Sequence, residues 1–324
     1  MITLHPVRAA RPLGAALLAA ALLALSAPAA VSAQALPAGC ATNELATLPL
    51  AFPNGGVPIA EARINGKAVP ALVDSGAQQA TVLDKKTLEG FGVKVISSET
   101  NYAGIDVLNA RIDHIAIGPL EYKKAWFAVD DLSEDGVGAK IGANFLFRTD
   151  IEFALHERYL KFFKPAGCFR APLAYWDPKA LSVPFRIHAL KKDLRPWFTV
   201  RINGEDVQAV ISTTTQHSYL DLFTARRMGL SPDTAGATQV RAGLKWNDRE
   251  QPAWTVPVAR MSIGELQVKD FSLRLVNMER SGEMLVLGTD FLRHHRIYVA
   301  MSQNRIYFSP VHTNAAPQPG TAAP

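Results

Sequence analysis

The chain contains its own echo. Arg63-Ile64-Asn65-Gly66 returns as Arg201-Ile202-Asn203-Gly204, and the apolar run Val69 to Val73 returns as Val207 to Ile211, both at an offset of 138. Ile115-Ala116-Ile117-Gly118 is answered by Met261-Ser262-Ile263-Gly264, and Ile141-Gly142 with Phe145-Leu146 by Leu287-Gly288 with Phe291-Leu292. The glycines of these last two landmarks are 24 residues apart in both halves. Tyr159-Leu160-Lys161-Phe162 closes the first set and Arg305-Ile306-Tyr307-Phe308 the second. Five ordered landmarks require two copies of one folding unit.

The unit is β-rich. Ile59 to Ile64 alternates in polarity, Asn65-Gly66 is a hairpin turn signal, and Val69 to Val73 is the returning strand. Thr81 to Phe91 reads as a short helix or as a strand followed by one. Val93 to Ile96, Arg111 to Ile117 and Ala125 to Val129 read as strands, with a turn at Ile117-Gly118-Pro119-Leu120. Ile141 to Leu146 introduces a helical turn, and Asp150 to Phe153 and Tyr159 to Phe163 are two further strands. Lys164 to Leu181, rich in Pro and Gly and without periodicity, marks the boundary before the pattern restarts.

The organisation expected is therefore a leader over 1–33, a loop-like N-terminal segment over 34–47, a first lobe over 48–164, a linker over 165–181, a second lobe over 182–310 and an Ala/Pro/Thr tail over 311–324. Arg8 and Arg11 precede the apolar run Leu13 to Leu25, and Val31-Ser32-Ala33 offers small residues for cleavage; this is the pattern of a secretory signal, of bacterial flavour. It implies export to the periplasm or outside the cell, and no later run is long and apolar enough to span a bilayer. The formal charge of +5 falls by two without Arg8 and Arg11, and no basic run interleaved with aromatics stands out, so nucleic acid is not a favoured partner.

Two cysteines, Cys40 and Cys168, are present. Pro37-Ala38-Gly39-Cys40 faintly resembles a lipoprotein acylation site, but Pro37 stands where Leu is wanted and Leu25 is far upstream. A Cys40–Cys168 disulfide suits an exported chain better, with two free thiols as the other possibility.

At the end of the Val69 to Val73 run comes Asp74-Ser75-Gly76-Ala77. A carboxylate just past a buried strand must be hydrogen-bonded, paired or used, and Gly76 lets the strand turn sharply. Taken alone this is an Asp/Ser/Gly turn. In order with Ile141-Gly142, and with both halves sharing the layout, it resembles the retropepsin-like aspartic proteases, in particular exported bacterial members with two fused lobes. The resemblance covers Leu48 to Pro310. It implies an all-β fold of two β-barrel lobes related by internal duplication, with a few short helices.

The resemblance also implies roles. Asp74 would activate water for peptide-bond hydrolysis, Ser75 would brace the loop against the other lobe, and Ile141-Gly142, like Leu287-Gly288, would pack across the loop. A flap would have its tip at Tyr102 and Gly104, with Gly243 as counterpart. No cofactor is implied, the partner is a peptide or protein, and the oligomeric state is open, a monomer included.

The departure lies in the second half. The offset puts Ser212 opposite Asp74, in Ile211-Ser212-Thr213-Thr214-Thr215, without aspartate or glycine. Two facing aspartates share one proton, and a serine hydroxyl does not take that place at neutral pH. Ser212 and Thr213 are left as loop support. Asp221 answers Asp84 as a shared structural feature, and Asp290, answering Asn144, reads as a helix N-cap. His294 and His295 would face opposite sides of a strand, and no metal-ligand spacing is present. Two functions follow: an endopeptidase relying on Asp74, or a protein on a peptidase frame that binds extended peptides in its cleft.

Overall fold

The computed structural model describes residues 37–77, 81–99, 106–132, 136–188, 190, 193–240, 244–246, 249–277 and 284–311. The proposed leader and nearly all of the tail lie outside them. Among the described residues no helix is long and apolar enough to cross a membrane.

In the first lobe, Ile59–Ile64 and Lys67–Val73 form the hairpin expected from Asn65-Gly66, with both turn residues at positive φ (49° and 81°). The sheet continues through Ala139–Ile141, Val82–Asp84, Leu120–Asp130 and Asp106–Ile117, and the last of these pairs back onto Ile59–Ile64. The result is a closed six-stranded barrel with Ile64, Val73, Ile112, Ile115 and Ile141 in its core. Closure removes the free edges a small sheet would otherwise expose.

The second lobe repeats this path. Asp193–Ile202, Glu205–Ile211, Leu285–Leu287, Tyr219–Asp221 and Phe271–Val276 are joined in the same order. Asn203 (φ 52°) accepts from Arg260 N–H as Asn65 accepts from His114 N–H. The long hairpin Asp106–Ile117/Leu120–Asp130, however, is here cut into two short ones, Ala253–Val258/Phe271–Val276 and Met261–Ile263/Leu266–Val268. Thr81 to Phe91 is a strand, Val82–Asp84, followed by a helix, Lys85–Gly90. Asp84 caps that helix by accepting from Thr87 N–H, and Asp221 caps Leu222–Arg227 by accepting from Phe223 and Thr224 N–H.

A six-stranded antiparallel sheet joins the lobes, in the order Glu44–Pro49, Tyr159–Phe163, Asp150–Ala154, His295–Ala300, Arg305–Pro310, Leu181–Pro184. Its central register, Ile151 against Val299 and Phe153 against Ile297, pairs the end of one copy with the end of the other. Two expectations change. The segment read as loop-like holds the first four residues of the Glu44–Pro49 strand, which covers the edge that Tyr159–Phe163 would otherwise expose. The connector is not a free linker: Cys168, Ala171, Leu173 and Ala174 pack with Phe163, Tyr298 and Tyr307.

Cys40 and Cys168 form a disulfide across 128 residues of chain, tying the N-terminal strand's approach to this connector. Thiol labelling of the purified native protein should find no reactive cysteine. The Cys40→Ser/Cys168→Ser variant should lose about 2–5 kcal/mol in denaturant unfolding, since its unfolded chain is no longer cross-linked. Free thiols without reductant would contradict the bond.

Candidate active site

Each barrel delivers one loop to the lobe boundary. Lys67–Val73 runs parallel to Ala139–Ile141, and Asp74 N–H donates to Ile141 O at 2.9 Å. Glu205–Ile211 runs parallel to Leu285–Leu287, and Ser212 N–H donates to Leu287 O at 2.8 Å. Asp74 and Ser212 thus occupy equivalent positions. Gly142 and Gly288 then start the short helices Ala143–Leu146 and Thr289–Leu292. A side chain at Gly288 would run into Thr215 O at 2.5 Å, so this glycine lets the second loop pass close by.

The loops clasp each other through their next residues. Ser75 Oγ donates to Ile211 O (3.0 Å) and accepts from Thr213 N–H (3.1 Å). Reciprocally, Thr213 Oγ1 donates to Val73 O and accepts from Ser75 N–H (3.0 Å). Ser75 and Thr213 are fully buried, so these bonds satisfy groups that water cannot reach. Gly76 has a reason other than the turn flexibility expected of it. Its φ is not in the left-handed range; instead a Cβ there would lie 2.5 Å from Ser212 Cβ and Oγ. The glycine is required by the close approach of the lobes.

Asp74 is 9% exposed. Its Oδ1 accepts from Gly76 and Ala77 N–H, each at 3.1 Å. Burial pushes its carboxyl above the usual carboxylate range; the Thr214 hydrogen bond, the Lys140 charge and the two backbone donors pull the other way without reversing it. Opposite stand hydroxyls: Ser212 Oγ and Thr215 Oγ1 share a hydrogen bond of 2.8 Å.

Sequence reasoning missed several neighbours. Arg195 donates from Nη1 to Gly76 O at 3.2 Å, across the lobe boundary, while its Nε and Nη2 grip Asp193 at 2.9 and 2.8 Å. Trp197 Nε1 donates to the same carboxylate at 3.0 Å. Burial works against the Asp193 charge, but Arg195 more than offsets it and holds the carboxyl below its usual range, so this acid is already paired. Asp193, Arg195 and Trp197 alternate on one face of one strand, which a period-two reading from residue 193 would have found. Tyr219 feels the charges of both Arg195 and Asp74, and burial dominates, pushing its hydroxyl up to about 12. Lys140 follows from its place beside Ile141, and Thr214 and Thr215 from theirs beside Ser212 and Thr213.

The remaining expected residues sort out plainly. Tyr102, Gly104 and Gly243 lie outside the described residues; a hairpin of Leu244–Trp246 and Arg249–Gln251 begins just after the last. Asp290 is not an N-cap. Gly288 is, and Asp290 in the first turn accepts from Ser218 N–H and Oγ at 2.8 and 2.6 Å, tying loop to helix. His294 and His295 do not face opposite ways. They follow a helix rather than lie mid-strand, place Nδ1 on Asp290 O and Phe291 O, and line one cavity. Among the described residues no group of three or more His, Cys, Asp or Glu could hold a metal.

Two outcomes test this geometry. Gly76→Ala should destabilise by about 1–3 kcal/mol through overpacking, and Ser212→Gly in the same chain should recover most of the loss by removing the atoms struck. Asp74→Asn should be more stable than the native protein at neutral pH. The folded carboxyl has the higher pKa, so the folded state binds the proton more tightly. Its contribution to stability is greatest below the unfolded value, near 4, and is lost as pH rises through the raised folded value. Denaturation midpoints from acid to neutral pH should show that decline in the native protein and not in the variant.

Each lobe is matched by a family model: residues 60–145 by one described as "Aspartyl protease" and residues 198–294 by one described as "gag-polyprotein putative aspartyl protease". No curated protein matches the chain. Among solved structures, an aspartic proteinase from Irpex lacteus is similar at a TM-score of 0.51 and 11% identity, over 84% of this chain and 98% of that one. At that identity the likeness shows the fold. Conglutin gamma, a basic 7S globulin from lupine seeds (TM-score 0.47, 12% identity, 83% of this chain and 95% of that one), and the basic 7S globulin from soybean (0.46, 16%, 83% and 96%) resemble it less and carry no argument. With an aspartyl protease match on each of two barrels that close around Asp74-Ser75-Gly76, the chain belongs to the retropepsin-like aspartic protease family, as a two-lobe member whose second lobe lacks the Asp-Thr/Ser-Gly sequence.

Proposed function

We propose that this protein is an exported peptide-binding member of its family, holding extended segments between its lobes with little or no hydrolysis. One observation carries the reading: the group opposite Asp74 is Ser212, in a loop of hydroxyls. The family chemistry needs a base that takes a proton from water and, at the same moment, an acid that donates to the substrate carbonyl. Two carboxyls sharing one proton supply both. Asp74 supplies one or the other, depending on its protonation state. A hydroxyl at Ser212 orients water or donates a hydrogen bond but does not hold the second carboxyl's charge.

Pairing of two Asp74 residues between chains is disfavoured, because Ile211 to Thr213 of the same chain already occupy the surface that Ser75 would offer. Support for export comes from the leader-like sequence and from the disulfide, which suits an oxidising compartment. The endopeptidase reading keeps one observation of its own: the Asp74 loop is complete and fully braced.

Incubation of the protein with a peptide library from acid to neutral pH separates the two. Binding without cleavage is expected, and the Ser212→Asp/Thr214→Gly variant, which rebuilds the missing sequence, should gain cleavage at acid pH. Cleavage by the native monomer that falls about 10²–10⁴-fold in Asp74→Asn would establish the endopeptidase instead.

A further inference from the structure

Beside the Asp74 loop stands a cation that makes no hydrogen bond or ion pair among the described residues. Lys140 lies between Ala139 and Ile141, both fully buried in the first barrel's core. Alternation along the strand therefore sends its side chain out of the opposite face. Leu72 pairs with Lys140 in parallel register, Val73 pairs with Ile141, and Ile141 O accepts from Asp74 N–H. Leu72 faces outward too, set between Ala71 and Val73 of the core, and Asp74 follows two residues on. Lys140 thus rises one strand spacing, about 5 Å, from the strand that ends in Asp74 and on the same face.

The ammonium is open to a ligand. Lys140 is half-buried, and its Nζ is not sealed from water. Two acids share its face, and both are engaged elsewhere. Asp74 feels the Lys140 charge, but its carboxyl is held by Gly76 and Ala77 N–H and by Thr214, and burial favours its neutral form. Asp84 lies two residues past Val82, which pairs with Lys140, and it accepts from Thr87 N–H and Oγ1 and from Leu132 N–H. Arg195, the other cation at this loop, is occupied by Asp193 and Gly76 O.

The second lobe does not repeat the feature. The offset of 146 that carries Gly142 onto Gly288 carries Lys140 onto Val286. Val286 is 2% exposed and packs with Val210 and Met284 against Trp197 and Tyr219. An extended segment laid along the two loops therefore meets an open ammonium on the first lobe alone, and a carboxylate is the group that complements it.

We propose that the segment held between the lobes carries an acidic side chain, Asp or Glu, seated against Lys140. This rests on the reading that peptides are held there, and adds which peptides they are.

Fluorescently labelled octapeptide sets test it, with the fourth position fixed as Glu, Gln or Lys, the others drawn from uncharged residues, and both termini blocked. Each set is titrated with the full protein and followed by anisotropy. The Glu set should bind about tenfold or more tighter than the Gln set, with the Lys set weakest. Lys140→Met keeps the stem and removes the charge, and should bring the Glu set to the level of the Gln set. Lys140→Arg should keep the preference. Far-UV circular dichroism checks that both variants fold. Equal binding of the Glu and Gln sets by the native protein overturns the proposal and leaves peptide holding intact, as does a preference that survives in folded Lys140→Met. Failure of all three sets to bind overturns both.

Discussion

The reciprocal exchange between Ser75 and Thr213 is the contact on which the rest of this molecule depends. Each hydroxyl donates to the carbonyl that ends the other lobe's strand and accepts the other's N–H, so four groups that neither barrel could satisfy alone are satisfied together. Either loop on its own would bury a bare carbonyl and a bare N–H, at a cost of about 1–3 kcal/mol each. The clasp also fixes how close the loops come, and that distance makes glycine obligatory at position 76. Asp74 is thereby held one residue from the contact, with its carboxyl out of water and its pKa raised.

Farther from the site, the same two-fold logic is carried by charge. Glu152, from the first lobe's end, is fully buried and accepts from Arg296 Nε at 2.6 Å and Tyr175 Oη at 2.8 Å. Arg296, from the second lobe's end, also donates to Tyr159 Oη at 2.8 Å and lies over the Trp176 ring. Such a pair adds little net stability over well-packed apolar residues, but losing one partner strands the other, a cost of about 3–5 kcal/mol. It therefore acts as a registration device: the joining sheet is correctly paired only when Tyr298 stands opposite Glu152 and the two ends meet. The connector that supplies Tyr175 and Trp176 belongs to this structure as much as the strands do.

A duplicated frame lets one copy change while the other keeps the architecture. The second lobe retains every strand that places its loop at the boundary, yet carries Ser212 where the first has Asp74, and Val268 and Arg274 where the first has Tyr122 and Ala128. None of these positions supplies backbone hydrogen bonds that its replacement cannot make. The frame therefore tolerates new side chains at them, and chemistry is free to differ between halves that share a fold.

The repeat landmarks, the Asn-Gly turns and the strand ending in Asp74 made the two-barrel fold legible from sequence, because hydrophobic alternation and turn chemistry act locally. The same comparison of halves marked Asp84 and Asp221 as a shared structural feature, and the structure gives each the same work, capping the helix that follows it. Local logic did not reveal Glu44–Pro49 as a strand, since that segment is held by an edge over a hundred residues away. Nor could it show that Gly76 serves close approach, that Asp290 ties a loop, or that His294 and His295 share a cavity. Arg195 reaches Gly76 across 119 residues of chain. The sequence by itself determined the strands of the repeated unit, how they repeat, and that a serine stands where the first copy has its carboxylate. Tertiary structure decided which groups meet across the lobe boundary, because contacts between distant segments depend on how the two lobes dock and not on the periodicity within either.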